Sequence, residues 1–136
     1  LTRFDLPLSH SGDAISIFDA RVMSRDTEFN LMHLEFKGGQ FIVPDNKLPI
    51  ESLVRIRVAA RDVSITKKKQ TDTSILNIFP AVVEEMVPEG DAQVMVRLTL
   101  KGVVLLACLT RKSASSLKLD QGLSVFIQVK SVAILS

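Results

Sequence analysis

A chain of 136 residues with 46% hydrophobic content carries enough apolar side chains for one ordinary domain, or two very small ones sharing a core, without disulfides or metal. Its formal net charge of +2, with charged residues at 24%, intersperses both signs and excludes the one-signed surface of a polyanion binder. The single cysteine, Cys108, excludes an intrachain disulfide and reads as a buried thiol in a reducing, cytoplasmic setting.

Residues 1–14 hold Asp5, Pro7, Ser9, His10, Ser11, Gly12 and Asp13 with little periodicity and read as a connector. The opening Leu1-Thr2-Arg3-Phe4-Asp5 has no signal-peptide pattern, and Leu in place of Met leads us to expect an upstream part. From there period-two alternation dominates. Met32, Leu34 and Phe36 alternate with His33, Glu35 and Lys37; Val54, Ile56 and Val58 alternate with Arg55 and Arg57; Val94, Val96, Leu98 and Leu100 alternate with Met95, Arg97, Thr99 and Lys101. Turn residues separate these runs at hairpin-length gaps, at Gly38-Gly39, Pro44-Asp45-Asn46, Pro88-Glu89-Gly90-Asp91, Lys101-Gly102 and Asp120-Gln121-Gly122. The longest apolar run, Val103–Leu109, falls far short of the roughly 18 to 20 residues of a membrane helix. One helical turn is predicted over Arg111–Leu117, with Thr110 as its cap.

The chain also repeats itself. Ile56-Arg57-Val58 through Ser64-Ile65 matches Ile127-Gln128-Val129 through Ala133-Ile134, with two extra residues in the first copy. The fold class expected is all-β, two OB-like five-stranded barrel units with one short helix. The first unit spans 15–66 and the second 73–136. Residues 67–72, Lys67-Lys68-Lys69-Gln70-Thr71-Asp72, form a solvated linker.

Catalysis has no visible constellation. There is no phosphate-cradling glycine loop, no nucleophile elbow and no His-Glu-x-x-His motif. His10 and His33 lack neighbouring ligands for a metal, and adjacent Glu84 and Glu85 on a strand point to opposite faces. Trp and Tyr are both zero, which removes the stacking platform of a single-strand binder. Asn77 reads as a turn-shaping residue.

The stretch Thr73-Ser74-Ile75-Leu76-Asn77-Ile78-Phe79-Pro80 resembles the opening of a mop unit. Leu106–Ser113, Leu117–Gly122 and Val129-Lys130-Ser131-Val132 resemble that family's later elements in order. Asp5-Leu6-Pro7-Leu8 and Val54–Ser64 are similar to the C-terminal region of molybdate ABC transporter ATP-binding subunits, so the resemblance covers nearly the whole chain. It implies a mop/TOBE regulatory domain, not itself an enzyme, downstream of an ATPase domain. It further implies a homodimer, contact with a membrane permease through that ATPase domain, a peripheral place at the cytoplasmic face, and no nucleic-acid partner.

The ligand so implied is molybdate or tungstate, with no cofactor and no metal held by the protein. A tetrahedral dianion leaves water only when hydroxyls, cations and backbone amides replace its hydration shell. Carried over by position, Ser74 and Thr110 supply hydroxyl or backbone donors, Lys130 and Ser131 a charge and further donors, and Arg61 a possible cation from the first copy. Each also has a plain structural role: Ser74 in a turn, Thr110 as a helix cap, Lys130 on a wet strand face. The family often has Arg two residues after the serine, where this chain has Leu76. Two readings stay open: an oxyanion-binding regulatory domain, and a ligand-free structural dimerisation tail.

Overall fold

The computed structural model describes residues 14–135; of the expected connector 1–14, all but Ala14 lies outside the described residues. Ten strands follow in chain order: β1 (Ile15–Asp26), β2 (Leu31–Phe36), β3 (Gly39–Pro44), β4 (Leu53–Ala59), β5 (Val63–Thr66), β6 (Asn77–Glu89), β7 (Gln93–Leu100), β8 (Val103–Thr110), β9 (Ser124–Val129) and β10 (Ala133–Leu135). A 3-10 turn, Ala60–Asp62, joins β4 to β5. The helix α1 spans Arg111–Ser116, and the Thr110 hydroxyl oxygen accepts the Ser113 N–H at 3.0 Å, as its capping position requires. The expected all-β class with one short helix is what forms, and its strands make two five-stranded sheets.

Alternation explains the strands. In β2, Met32, Leu34 and Phe36 are buried while Leu31, His33 and Glu35 are half-buried, and β4 shows the same pattern with Arg55 and Arg57 exposed. Between β7 and β8, Lys101 and Gly102 take φ of 51° and 85°, the paired left-handed conformations of a two-residue hairpin turn. The repeat is equally visible in irregularities. β1 is bulged between Val22 and Ser24, and β6 between Val83 and Glu85. Val22 bonds to Ser52 and Glu51, and Val83 bonds in the same way to Leu123 and Gly122.

What the alternation does not disclose is the strand order. One sheet runs β10-β4-β1-β2-β3 and the other β5-β9-β6-β7-β8. Each repeat therefore gives four strands to one sheet and its last strand to the other. Ile134 pairs with Ile56, and in the mirrored place Ile65 pairs with Ile127. Because β5 and β6 are both antiparallel to β9, they run parallel to each other, and the connection 67–76 must return along β9 before β6 begins.

The exchange produces one main core. Phe79 of β6 packs on Phe36 and Phe41 of the other sheet, at ring-centroid distances of 5.5 and 4.9 Å, and Phe18 joins the same cluster. Val22, Leu34, Phe41, Ile56, Val83, Leu98 and Ile127 are essentially inaccessible within it. A smaller cluster of Ala14, Ala60, Met95 and Leu106 seals the junction between β8 and the 3-10 turn.

Candidate functional site

The two segments that carry the exchanged strands run past each other. One is β4, the 3-10 turn and β5; the other is β9, residues 130–132 and β10. Ala60 is fully buried and its N–H bonds to the Ala14 carbonyl at 2.9 Å, so the turn is anchored from beneath. Asp62 stitches the crossing: its backbone carbonyl accepts the Lys130 N–H at 2.9 Å, and its Oδ2 accepts the Ser131 hydroxyl at 3.2 Å.

Matching the ladders shows where the two extra residues of the first copy went. Val58 and Val129 occupy equivalent places opposite Ser16 and Asn77, and Ile65 and Ile134 occupy equivalent places opposite Ile127 and Ile56. Four residues, 59–62, then separate Val58 from Val63, whereas only Lys130 and Ser131 separate Val129 from Val132. The two added residues lie within Ala59-Ala60-Arg61-Asp62.

Beside this crossing lies a cleft of about 470 Å³ lined by Arg57, Arg61, Asp62 and Ser131, with Ile15 and Val132 among its apolar walls. Two guanidiniums, a hydroxyl and one carboxylate thus face a single space. Guanidinium groups keep their charge and present several donors, which suits an oxyanion. A larger groove of about 740 Å³ beside Phe18, Phe36 and Leu53 is more apolar, and its Arg21 is already bonded to Glu35 and Glu51 at 2.9 Å each. The recess beside Glu84, Glu85 and Asp120 has the wrong sign for an anion. Among the described residues, no group of three or more His, Cys, Asp or Glu is placed to hold a metal ion.

The sequence-predicted residues fall in three places. Arg61 and Ser131 meet in the cleft. Lys130 is exposed on the neighbouring position, and Leu76 and Lys130 each lie one residue beyond Asn77 and Val129, the terminal pair of the β6–β9 ladder. Ser74 is exposed in the connection two residues earlier, outside the cleft lining. Thr110 caps α1 at the end of β8 and is also outside that lining.

Sequence reasoning missed Arg57 and Asp62. Arg57 looked like any wet-face residue of an alternating strand, and only the arrival of β10, which pairs Ala133 with Arg57, gives it a wall to face. For Asp62 the one signal was its place in the longer of the two connecting segments, residues 59–62. Asn77 differs from its turn-shaping reading: it is buried, and it bonds to both backbone groups of Ile42.

Comparison with known proteins now adds to this geometry. A TOBE domain is matched over residues 73–135. Residues 73–135 are a TOBE domain. The whole chain matches the C-terminal part of molybdenum import ATP-binding proteins named ModC. Identity is 46% over 135 residues with the protein of Albidiferax ferrireducens and 42% with that of Thiobacillus denitrificans, covering 99% and 98% of this chain. This chain spans 37% of the length of each of those relatives. A crystal structure of the cytoplasmic molybdate-binding protein ModG, with molybdate bound, superposes with a TM-score of 0.75 at 18% identity. It covers 97% of this chain and 99% of the ModG chain, so the TOBE domain and the repeat before it share that fold end to end. Among the described residues, no helix is long and apolar enough to cross a membrane.

Proposed function

We propose that this chain is the oxyanion-binding regulatory domain of a molybdate-import ABC transporter ATP-binding subunit, taking molybdate or tungstate. The observation that carries the reading is the convergence of Arg57, Arg61 and Ser131 on one cleft at the crossing of the exchanged strands. The similarity to ModC proteins supplies the transport setting, and the ModG fold shows that this architecture accommodates molybdate in another protein. Lys130, Ser74 and Thr110 lie outside the cleft lining, and in this reading they are assigned to an anion site completed by a second copy in a homodimer. The repeats 15–66 and 73–136 act as halves of one interlocked unit.

Regulation by such a domain requires that the anion bind one arrangement of the subunits more tightly than another. The chain itself performs no catalysis in this reading. ATP hydrolysis belongs to a domain upstream, which places the protein at the cytoplasmic face against a permease, with no nucleic-acid partner and no cofactor.

Titration calorimetry of the chain with sodium molybdate, tungstate and sulfate at matched ionic strength tests the proposal. Saturable binding of molybdate or tungstate, weakened about tenfold or more in Arg61→Ala and Ser131→Ala, is the expected result. A second reading, a ligand-free dimerisation tail, is favoured by Leu76, 60% exposed where the resembling family often has Arg. Dimerisation with no heat from any of the three anions would establish that reading instead.

A further inference from the structure

The cleft contains a group that an anion site would ordinarily exclude. Asp62 lines the same space as Arg57 and Arg61, and its carboxylate already accepts the Ser131 hydroxyl. A carboxylate there offers the Ser131 hydroxyl what an incoming oxyanion would, an oxygen acceptor, and it brings negative charge into the space that Arg57 and Arg61 also line. The residue is tied into the local fold, because its backbone carbonyl accepts the Lys130 N–H while its side chain accepts the Ser131 hydroxyl, in the longer of the two connecting segments.

We infer that Asp62 is the selectivity-setting residue of the cleft, an internal carboxylate that competes with the external anion for Ser131 and the flanking arginines. This rests on the reading that the cleft takes an oxyanion. A fully ionised tetrahedral dianion meets Asp62 as a like charge and must displace it from Ser131. An anion that retains an O–H, such as hydrogenphosphate, can donate that proton to the Asp62 carboxylate as a hydrogen bond and so is opposed less. The carboxylate therefore raises the concentration at which molybdate or sulfate fills the site, and it does so unequally among anions. A purely structural Asp62, whose task is only to hold the crossing through Ser131, would show no such inequality.

The test is titration calorimetry of the whole chain and of Asp62→Asn with molybdate, sulfate and phosphate at matched ionic strength. Asn keeps an oxygen to accept the Ser131 hydroxyl while removing the charge. Asp62→Ala serves as a second variant, and Glu28→Gln, exposed on the turn after β1, makes the same change of net charge away from the cleft. The expected result is molybdate and sulfate binding about tenfold tighter in Asp62→Asn, with a smaller gain for phosphate and none in Glu28→Gln. Equal gains for all anions, equal gains in Glu28→Gln, or unchanged or weaker molybdate binding in Asp62→Asn and Asp62→Ala would overturn the inference while leaving a molybdate-binding wild type intact. Absence of binding in wild type and variants alike would overturn the oxyanion reading itself, and the role of Asp62 with it.

Discussion

Asn77 closes the open edge of β3 by bonding both backbone groups of Ile42: its Oδ1 accepts the Ile42 N–H at 2.8 Å and its Nδ2 donates to the Ile42 carbonyl at 3.0 Å. An edge strand exposes such groups in pairs, and a side-chain amide, with its donor and acceptor held apart in one plane as in a peptide, satisfies both together. The same device recurs more simply in the other repeat, where the Ser16 hydroxyl oxygen accepts the Leu106 N–H at 3.3 Å. Ser16 and Asn77 stand in equivalent places, opposite Val58 and Val129.

Replacing Asn77 with Ala leaves a partly buried amide and carbonyl without partners. The expected loss is about 2 kcal/mol of unfolding free energy, read from the urea midpoint at unchanged slope. Asn77→Asp keeps the acceptor but buries a charge and sets a carboxylate oxygen against the Ile42 carbonyl, so at pH 7 it should cost at least as much as Ala. Ser16→Ala costs less, about 0.5 to 1 kcal/mol, because one longer bond is lost. A loss for Asn77→Ala no larger than that for Ser16→Ala would show that the second hydrogen bond of Asn77 adds no stability.

Gly38 marks a second junction between the repeats. A Cβ at this position would lie 2.6 Å from the Phe36 ring and 2.8 Å from Leu100, and both of those side chains are buried. Neither neighbour is a flexible surface group that can swing aside, so Gly38→Ala forces the two hairpin ends apart. We expect a cost of about 2 kcal/mol in thermal or urea unfolding. Gly90→Ala serves as the contrast: nothing lies within 4 Å of its Cβ position, and only its φ of +68° is strained.

These junctions show where sequence reasoning stops. The alternation of Met32, Leu34 and Phe36 and the turn glycines made the strands legible, because burial of one face imposes period two on any half-buried strand. The cap at Thr110 was legible because its partner, Ser113, is three residues away. Asn77 was not, since Ile42 lies 35 residues off and no local pattern announces it. The strand exchange was hidden for the same reason: alternation states which face of β10 is buried and says nothing about whether β4 or β9 lies beside it. Ser131 was found as a candidate through the family resemblance and Arg61 through its position in the repeat, while their neighbour Arg57 acquires its role only from that exchange.

Acid sensitivity is expected from the loop after β3. Asp45 accepts the Lys47 N–H at 2.8 Å and the Arg25 Nε at 3.0 and 3.1 Å, and Arg25 also donates to the Leu48 carbonyl. The Lys47 amide first, then Arg25, holds the Asp45 carboxyl below its ordinary value against the opposing effect of burial. A carboxyl depressed in the folded state binds fewer protons than in the unfolded chain, so its contribution is complete above the unfolded value near pH 4 and is lost as pH falls through the folded one. The melting temperature of wild type should therefore exceed that of Asp45→Asn at pH 7, and the gap should narrow as pH is lowered below about 4. A gap independent of pH would assign the effect to packing of the loop.

The position of Leu76 yields the sharpest test of where an anion sits. Leu76 is 60% exposed, and it and Lys130 each lie one residue beyond Asn77 and Val129, the terminal pair of the β6–β9 ladder. A long cationic side chain at this point meets no core packing, so Leu76→Arg should leave the urea midpoint within about 0.5 kcal/mol of wild type. It would set a guanidinium beside the Lys130 ammonium, two like charges whose mutual repulsion an intervening dianion relieves. If molybdate binds on the Lys130 side of the crossing, Leu76→Arg should tighten it about tenfold at low salt, with the gain shrinking as ionic strength rises. If it binds in the cleft with Arg57, Arg61 and Ser131, the affinity should change little, and Arg57→Ala should weaken it instead. Titration of both variants at two ionic strengths thus assigns the anion to one side of the strand crossing, since no placement predicts a strong effect of only Leu76→Arg together with a site in the cleft.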